Sequence, residues 1–450
     1  MNPTKATTRR ASLKALAGGL GAVAAQPWLS HGATPGAPTA AKAPQYPGRA
    51  KRVIFLFMNG GPSHMDTFDY KPQLQKDHGK KVNDDKEELF GSPWAFQRRG
   101  QSGLWVSELF PELAKRADDL LVVRSMTTDS SAHPQAMPQL HTGSFQFTRP
   151  SMGSWILYGI GAEAKALPGF VAVNPSRIFG GPANYGSAFL PSVYQGARIG
   201  WEGGNVLRES FRNIASSRIP LELQGRQIEL AQRMAKQSAD SEAVAAAEAL
   251  ELGARMRDVA PEVMDLRSET EETQNLYGLN EDSTKRFGAQ CLLARRLIEA
   301  GVRFVELSHG GWDHHQGIKN GLERKCRETD RPIAALLTDL KRRGLLDETL
   351  VIWGGEFGRK PELEFGSGRG HNATGFTFWL AGGGVTPGVA YGETDEYGRK
   401  AVSNPVHVHD LHATMLHLLG MDHEALTYRY GGRDFRLTDV HGRIIHDWVA

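Results

Sequence analysis

Four stretches of the chain gather histidines and carboxylates at spacings that suit a divalent cation. GGPSHMDTFD (60–69) carries His64, Asp66 and Asp69 among tight glycines, and GGWDHHQ (310–316) sets Asp313, His314 and His315 side by side. WGGEFGR (353–359) offers Glu356 and Arg359, and GRGHN (369–373) presents His371 between small residues. Carboxylate plus imidazole is a hard-to-borderline donor set, suited to zinc, manganese or a similar ion. In an extended segment, alternation aims Asp313 and His315 to the same side. Arg359, with Arg369 nearby, could hold an anion through the planar guanidinium fork. Each stretch alone also reads as an ordinary loop in which Asp caps a turn and His faces water.

Two further stretches carry chemistry-bearing types. TTDSSAHPQAMPQLHTGS (127–144) follows the apolar run DLLVVRSM. Hydroxyls at a strand-to-helix turn suit a nucleophile, or an anion held by helix N-terminal amides. Ser130 and Ser131 therefore read as nucleophiles or helix caps, and His133 as a ligand, an acid/base or a nucleophile. HVHDLHATMLHLLGMDH (407–423) looks like a metal tract, but its residues also suit a helix start with Asp410 as the cap. His417, at helical spacing among leucines, reads as a core histidine.

The elements that must position these residues are legible as five apolar runs ending in polar or glycine-rich clusters: 52–64, 120–128, 302–315, 349–359 and 375–385. Segments of helical period lie between several of them, for example TKRFGAQCLLARRLIEAG (284–301) and RPIAALLTDLKRRG (331–344). Strands alternating with helices predict an α/β fold on a mostly parallel sheet. Ligands collect at the carboxyl ends of such strands, so the clusters are expected on one edge. From about 205 to 283 the pattern changes to long alanine-rich helices, read as a helical insertion over the sheet.

Composition narrows the class. The 450 residues are 40% hydrophobic and 23% charged, with a net charge of only +3, and the basic residues are scattered, which argues against nucleic acid as the partner. Two cysteines, Cys291 and Cys326, make no disulfide framework. TRRASLK (8–14), followed by ALAGGLGAVAA (15–25), reads as a twin-arginine export signal over residues 1–25, with Ser12 where such signals usually have Phe. Residues 26–47 read as a flexible leader and 48–450 as the folded domain. The expected partner is the twin-arginine export machinery, and the expected location periplasmic or cell-surface. No other run approaches the length of a transmembrane span.

NGGPSHMDTFD, HTG, PSMGSW, GWDHH, GGEFGR, GHN and DLHATMLHLLG resemble the bacterial family catalogued as domain of unknown function 1501, grouped with the alkaline phosphatase and sulfatase superfamily. The resemblance implies a three-layer α/β/α, alkaline phosphatase-like fold. It also places His133, ten residues before Gly143, where relatives keep a nucleophilic Ser or modified Cys. By the same resemblance Asp313 and His315 correspond to a metal-binding Asp and His, Glu356 to an Asp, and His371 to the last metal-binding His. Two departures stand out: Asn59 replaces the acid after the first strand, and Phe357 occupies a histidine slot. His64, Asp66 or His133 would have to make up the ligand lost at Phe357. With the export signal and the site motifs, the chain is read as an exported metal-dependent hydrolase of a small anionic ester or a sulfated or phosphorylated glycan. Its cofactor would be zinc, calcium, magnesium or manganese, with Asp66, His64, Asp313, His315, Glu356 and His371 as ligands and His133, Ser131 and Arg359 as catalytic groups. The alternative is a non-catalytic binding protein that keeps the fold.

Overall fold

RVIFLFM, the strand Arg52–Met58 (β1), buries every side chain after Arg52. Val53, Phe55 and Phe57 enter one core, and Ile54, Leu56 and Met58 enter another. A strand that is apolar on both faces must be covered on both. The computed structural model describes residues 39–84, 86–211, 220–238 and 241–450. The signal expected over 1–25, and the leader as far as residue 38, lie outside the described residues.

In chain order, the other strands that shape the site are β2 (Leu120–Thr127), β3 (Phe170–Val173), β4 (Ala197–Ile199), β5 (Phe304–His309), β6 (Thr349–Gly354), β7 (Gly358–Glu364), β8 (Gly368–Asn372), β9 (Phe376–Ala381), β10 (Val389–Tyr391) and β11 (Val406–His407). β7 and β8 form a hairpin of their own. The rest build a nine-stranded sheet in the order β10-β2-β9-β6-β1-β5-β3-β4, with β11 also paired to β2. All pairings are parallel except those of β9, which is antiparallel to β6 and to β2. The chain leaves β6, forms the β7–β8 hairpin at the same edge and returns without a crossover helix, so β9 must run backwards. The glycines following β9 consequently sit at the opposite edge. Gly382 and Gly383 abut Leu346 and Leu350, away from the other clusters.

Helices cover both faces. α1 (His133–Thr142), α2 (Met152–Ile160), α3 (Leu221–Lys236), α4 (Ser241–Met264), α5 (Lys285–Glu299), α6 (Ile318–Arg342) and α7 (Val408–Leu418) are the long ones. Leu292 and Leu297 of α5 and Ile333 and Leu336 of α6 share a core with Ile54 and Leu56. Met137 of α1, Trp155 of α2 and Met415 of α7 share the other with Phe55 and Phe57. The result is a three-layer α/β/α sandwich. Cys291 and Cys326 are free and buried in the first core, where a thiol packs as a small apolar group. α3 and α4 lie in the segment read as helical; Ala231, Ala235 and Ala247 form a small cluster there, while Met256 and Ala260 of α4 join the main core. Among the described residues, no helix is long and apolar enough to cross a membrane.

α7 starts differently from the sequence expectation. His407 is its N-cap, and Asp410 works from inside the first turn, accepting from His407 N at 3.0 Å and from Arg443 N at 2.7 Å. His417 is half-buried, not a core residue, with Nδ1 2.8 Å from the Tyr46 hydroxyl.

Candidate metal centre

The site forms where the loops after β1, β5 and β6 meet the start of α1 and the β7–β8 hairpin. Gly60 lets the first two loops touch. It has φ +118°, and a Cβ on it would lie 2.5 Å from Asp313 N, so a side chain would push the loops apart. Gly60 N in turn donates to both carboxylate oxygens of Glu356 at 3.1 Å, fixing that fully buried acid at the end of β6.

Asp313 is the hub. Its Oδ1 accepts from Arg359 Nη2 at 2.6 Å and lies 3.0 Å from both His371 Nε2 and His315 Nε2. Its Oδ2 lies 3.2 Å from His133 Nε2. Alternation along DHH therefore aims Asp313 and His315 together. His314 turns away, packed against Gly321, where burial first and the Arg359 charge second push its pKa down to about 4.

Each imidazole of the cluster spends its other nitrogen on an acceptor. His133 Nδ1 meets Glu356 Oε1 at 2.5 Å, His371 Nδ1 meets Ser131 O at 2.7 Å, and His315 Nδ1 meets the Glu364 carboxylate. A carbonyl or a carboxylate can only accept, so these Nδ1 atoms carry the protons, and a neutral ring is left with its lone pair on Nε2. His315 Nε2 and His371 Nε2 then face each other at 2.8 Å. Two ring nitrogens so close, beside a carboxylate oxygen, form a donor set of the kind a metal ion takes.

The donors fit a metal. Ligand atoms of His133, Asp313 and His371 all lie within 4.8 Å of one another. Ligands about 2.0–2.2 Å from one tetrahedral ion are about 3.3–3.6 Å apart, a few tenths of an ångström beyond the 3.0 and 3.2 Å seen around Asp313. Without a metal the cluster holds protons instead. Burial would lower the pKa of His133, but hydrogen bonds and charge from Asp313 and Glu356 outweigh it and raise the value to about 9. Burial likewise works to raise that of Asp313, yet His133, His371 and Arg359 hold its carboxyl well below the ordinary range.

Other residues singled out in the sequence have different surroundings. Asp66, expected as a ligand, is fully buried and accepts from Arg369 Nε at 2.7 Å and Nη2 at 3.0 Å and from Ser63 Oγ at 2.5 Å. Its oxygens are engaged by the Arg369 fork and Ser63, and it is not among the residues whose ligand atoms gather around Asp313. His64 is buried with Nε2 2.8 Å from Gly398 O, and burial, its largest influence, depresses its pKa. Arg359, expected to touch an anion, is 1% exposed and donates to Gly60 O, Gly61 O, Arg369 O and Asp313. It holds Asp313 from behind and has no face toward a substrate. Ser131 is exposed and contributes its carbonyl to His371, and Ser130 accepts from Ala132 N at 3.1 Å. Phe357 packs its ring 4.7 Å from that of His133 and 4.4 Å from that of His371, an apolar wall in the slot where a ligand was expected.

Sequence reasoning missed Glu364 and Phe179. Glu364 ends β7, and the FGSG turn that follows it was a readable hairpin signal. Phe179 stacks on His133 at 5.3 Å from an irregular loop after β3 that carries no periodic signal.

The family model described as Protein of unknown function (DUF1501) matches residues 50–449. No curated protein matches the chain. Among solved structures, the chain is similar to the PsFucS1 sulfatase from Pseudoalteromonas sp., with 11% identity over 83% of this chain and 68% of that one and a TM-score of 0.36. It is similar to the phosphonate monoester hydrolase SpPMH from Silicibacter pomeroyi, with 12% identity, 83% and 74% coverage and a TM-score of 0.37. Alkaline phosphatase from the Antarctic bacterium TAB5 gives 12% identity, 83% and 99% coverage and a TM-score of 0.33.

Proposed function

The chain belongs to the DUF1501 family, whose description assigns no reaction, and we propose from the site itself that it is a metal-dependent hydrolase of sulfate or phosphate esters. One observation carries this reading: three imidazoles with their Nδ1 atoms tied down turn their Nε2 atoms toward the carboxylate of Asp313. His133, Asp313 and His371 would hold the ion, with His315 Nε2 3.0 Å from Asp313 Oδ1 as a further donor. An imidazole-rich set favours zinc over calcium, magnesium or manganese. A divalent ion there supplies Lewis acidity toward an ester oxygen and lowers the pKa of water.

The chain's own residues do the rest. Arg359 and Gly60 fix Asp313 and Glu356, so the donors need no reorganisation. Glu356 orients His133 and stabilises its protonated form, which suits it to donate a proton to a departing oxygen when it is not a ligand. Both ring nitrogens of His133 are engaged by carboxylates, which argues for a ligand or acid/base role over a nucleophilic one. Metal analysis of the purified protein followed by a panel of aryl sulfates and phosphates tests the reading. Hydrolysis that chelation abolishes and zinc or manganese restores supports it; a metal-free protein inert on every ester removes it. The latter result would favour a binding protein of the same fold, the reading that Phe357 in a ligand slot supports.

A further inference from the structure

The arginines that the motifs single out cannot meet a substrate anion. Arg359 and Arg369 are 1% and 0% exposed, and their guanidiniums are taken up by backbone carbonyls, Asp313 and Asp66. Lys325, which abuts Gly311 beside the DHH loop, is held by Glu328 at 2.8 Å. Positive charge beside the site comes from the loop after β3 and from β4, which no motif marks. The loop after β3 carries Arg177 and Phe179, and the Phe179 ring stacks on His133. The loop after β4 carries Trp201 and Glu202, and Glu202 accepts from Asn59 at 2.9 Å, tying it to the end of β1. Both loops therefore border the metal centre.

Arg177 and Arg198 stand over the one indole of Trp201, at 4.7 and 3.8 Å from the ring centroid. Arg198 is fixed by a hydrogen bond to Gly200 O and another to Tyr185. Arg177 is exposed, and among the described residues it has no ion-pair partner. Glu202, the acid next to Trp201, is engaged with Asn59. An aromatic face can hold a guanidinium without consuming its N–H donors, so the fork stays available to sulfate or phosphate oxygens.

From this arrangement we infer that Arg177, with Arg198 behind it on Trp201, forms an anion subsite beside the metal centre, and that the substrate is an ester carrying a second sulfate or phosphate group beyond the scissile one. The inference rests on the ester-hydrolase reading, and binding assays separate the two. The probes are a disulfated and a monosulfated disaccharide, and a sugar bisphosphate with its monophosphate, titrated by calorimetry into zinc-loaded protein. Wild type is expected to bind at least one doubly charged probe about tenfold more tightly than its singly charged partner, and the pair showing this names the anion. R177Q should bring that ratio close to one and R177K should restore part of it, since Arg177 is exposed and its loss leaves the core intact. D313N should weaken both members of a pair alike. If D313N changes nothing while R177Q collapses the ratio, the ester reading fails and the subsite stands. A ratio near one in wild type, or one unchanged in R177Q, overturns the subsite.

Discussion

At the scale of single residues, the proton on His133 is the most informative group. In the metal-free protein its pKa is raised to about 9, so at pH 7.5 the ring is an imidazolium between two carboxylates. An ion that takes His133 as a ligand must displace that proton. Zinc titrated at pH 7.5 into buffers of different ionisation enthalpy should therefore show release of at least about one proton per ion, and about one fewer in H133Q. No buffer dependence would mean that His133 is not a ligand. The same shift fixes a stability trend. A histidine whose folded pKa lies above its unfolded value of 6.5 contributes fully below pH 6.5, and the contribution fades as pH rises through about 9. The melting temperature of metal-free protein should fall over that window, and H133Q should flatten the slope; equal slopes would remove the ion-pair account. Of this site, Asp313, His315, Glu356, His371 and His133 were legible as residue types after apolar runs. Their assignments were not. Burial and partner choice decide whether an arginine faces substrate or scaffold, and neither is written in GGEFGR.

At the scale of elements, the one-turn helix His64–Thr67 after β1 is bolted to the β7–β8 hairpin by the fully buried Asp66–Arg369 pair. Removing one member of such a pair leaves an uncompensated buried charge, at a cost of about 3–5 kcal/mol. D66A should lose stability on that order by chemical denaturation while the folded fraction keeps its metal. Loss of metal at unchanged stability would make Asp66 a ligand after all. The five apolar runs were readable because a buried strand needs an unbroken apolar sequence. The reversal of β9 was not, since FTFWLA reads alike in either direction. Its orientation follows from the hairpin before it, which returns the chain to the edge it left. The short strands β3, β4, β10 and β11 bury too few residues to give a period. Asp410 shows the same limit at finer grain, because a cap and a first-turn acid differ by a few residues.

At the scale of the whole molecule, a parallel sheet gathers its loops at one edge, and that geometry joins residues as distant in sequence as Gly60 and Glu356. The family model spans the same residues that build the sandwich. Export is a separate proposal, carried by TRRASLK and the apolar stretch behind it. Changing Arg9 and Arg10 to Lys should leave full-length protein in the cytoplasm, and unchanged export would end the twin-arginine reading. We propose that the cluster around Asp313 holds a catalytic divalent ion. It is tested most directly by the metal-to-protein ratio of purified wild type and D313N, measured by plasma mass spectrometry after dialysis against zinc and then against metal-free buffer. About one zinc per wild-type chain is expected, and a folded D313N with almost none. Equal metal in both proteins, or none in either, would contradict it.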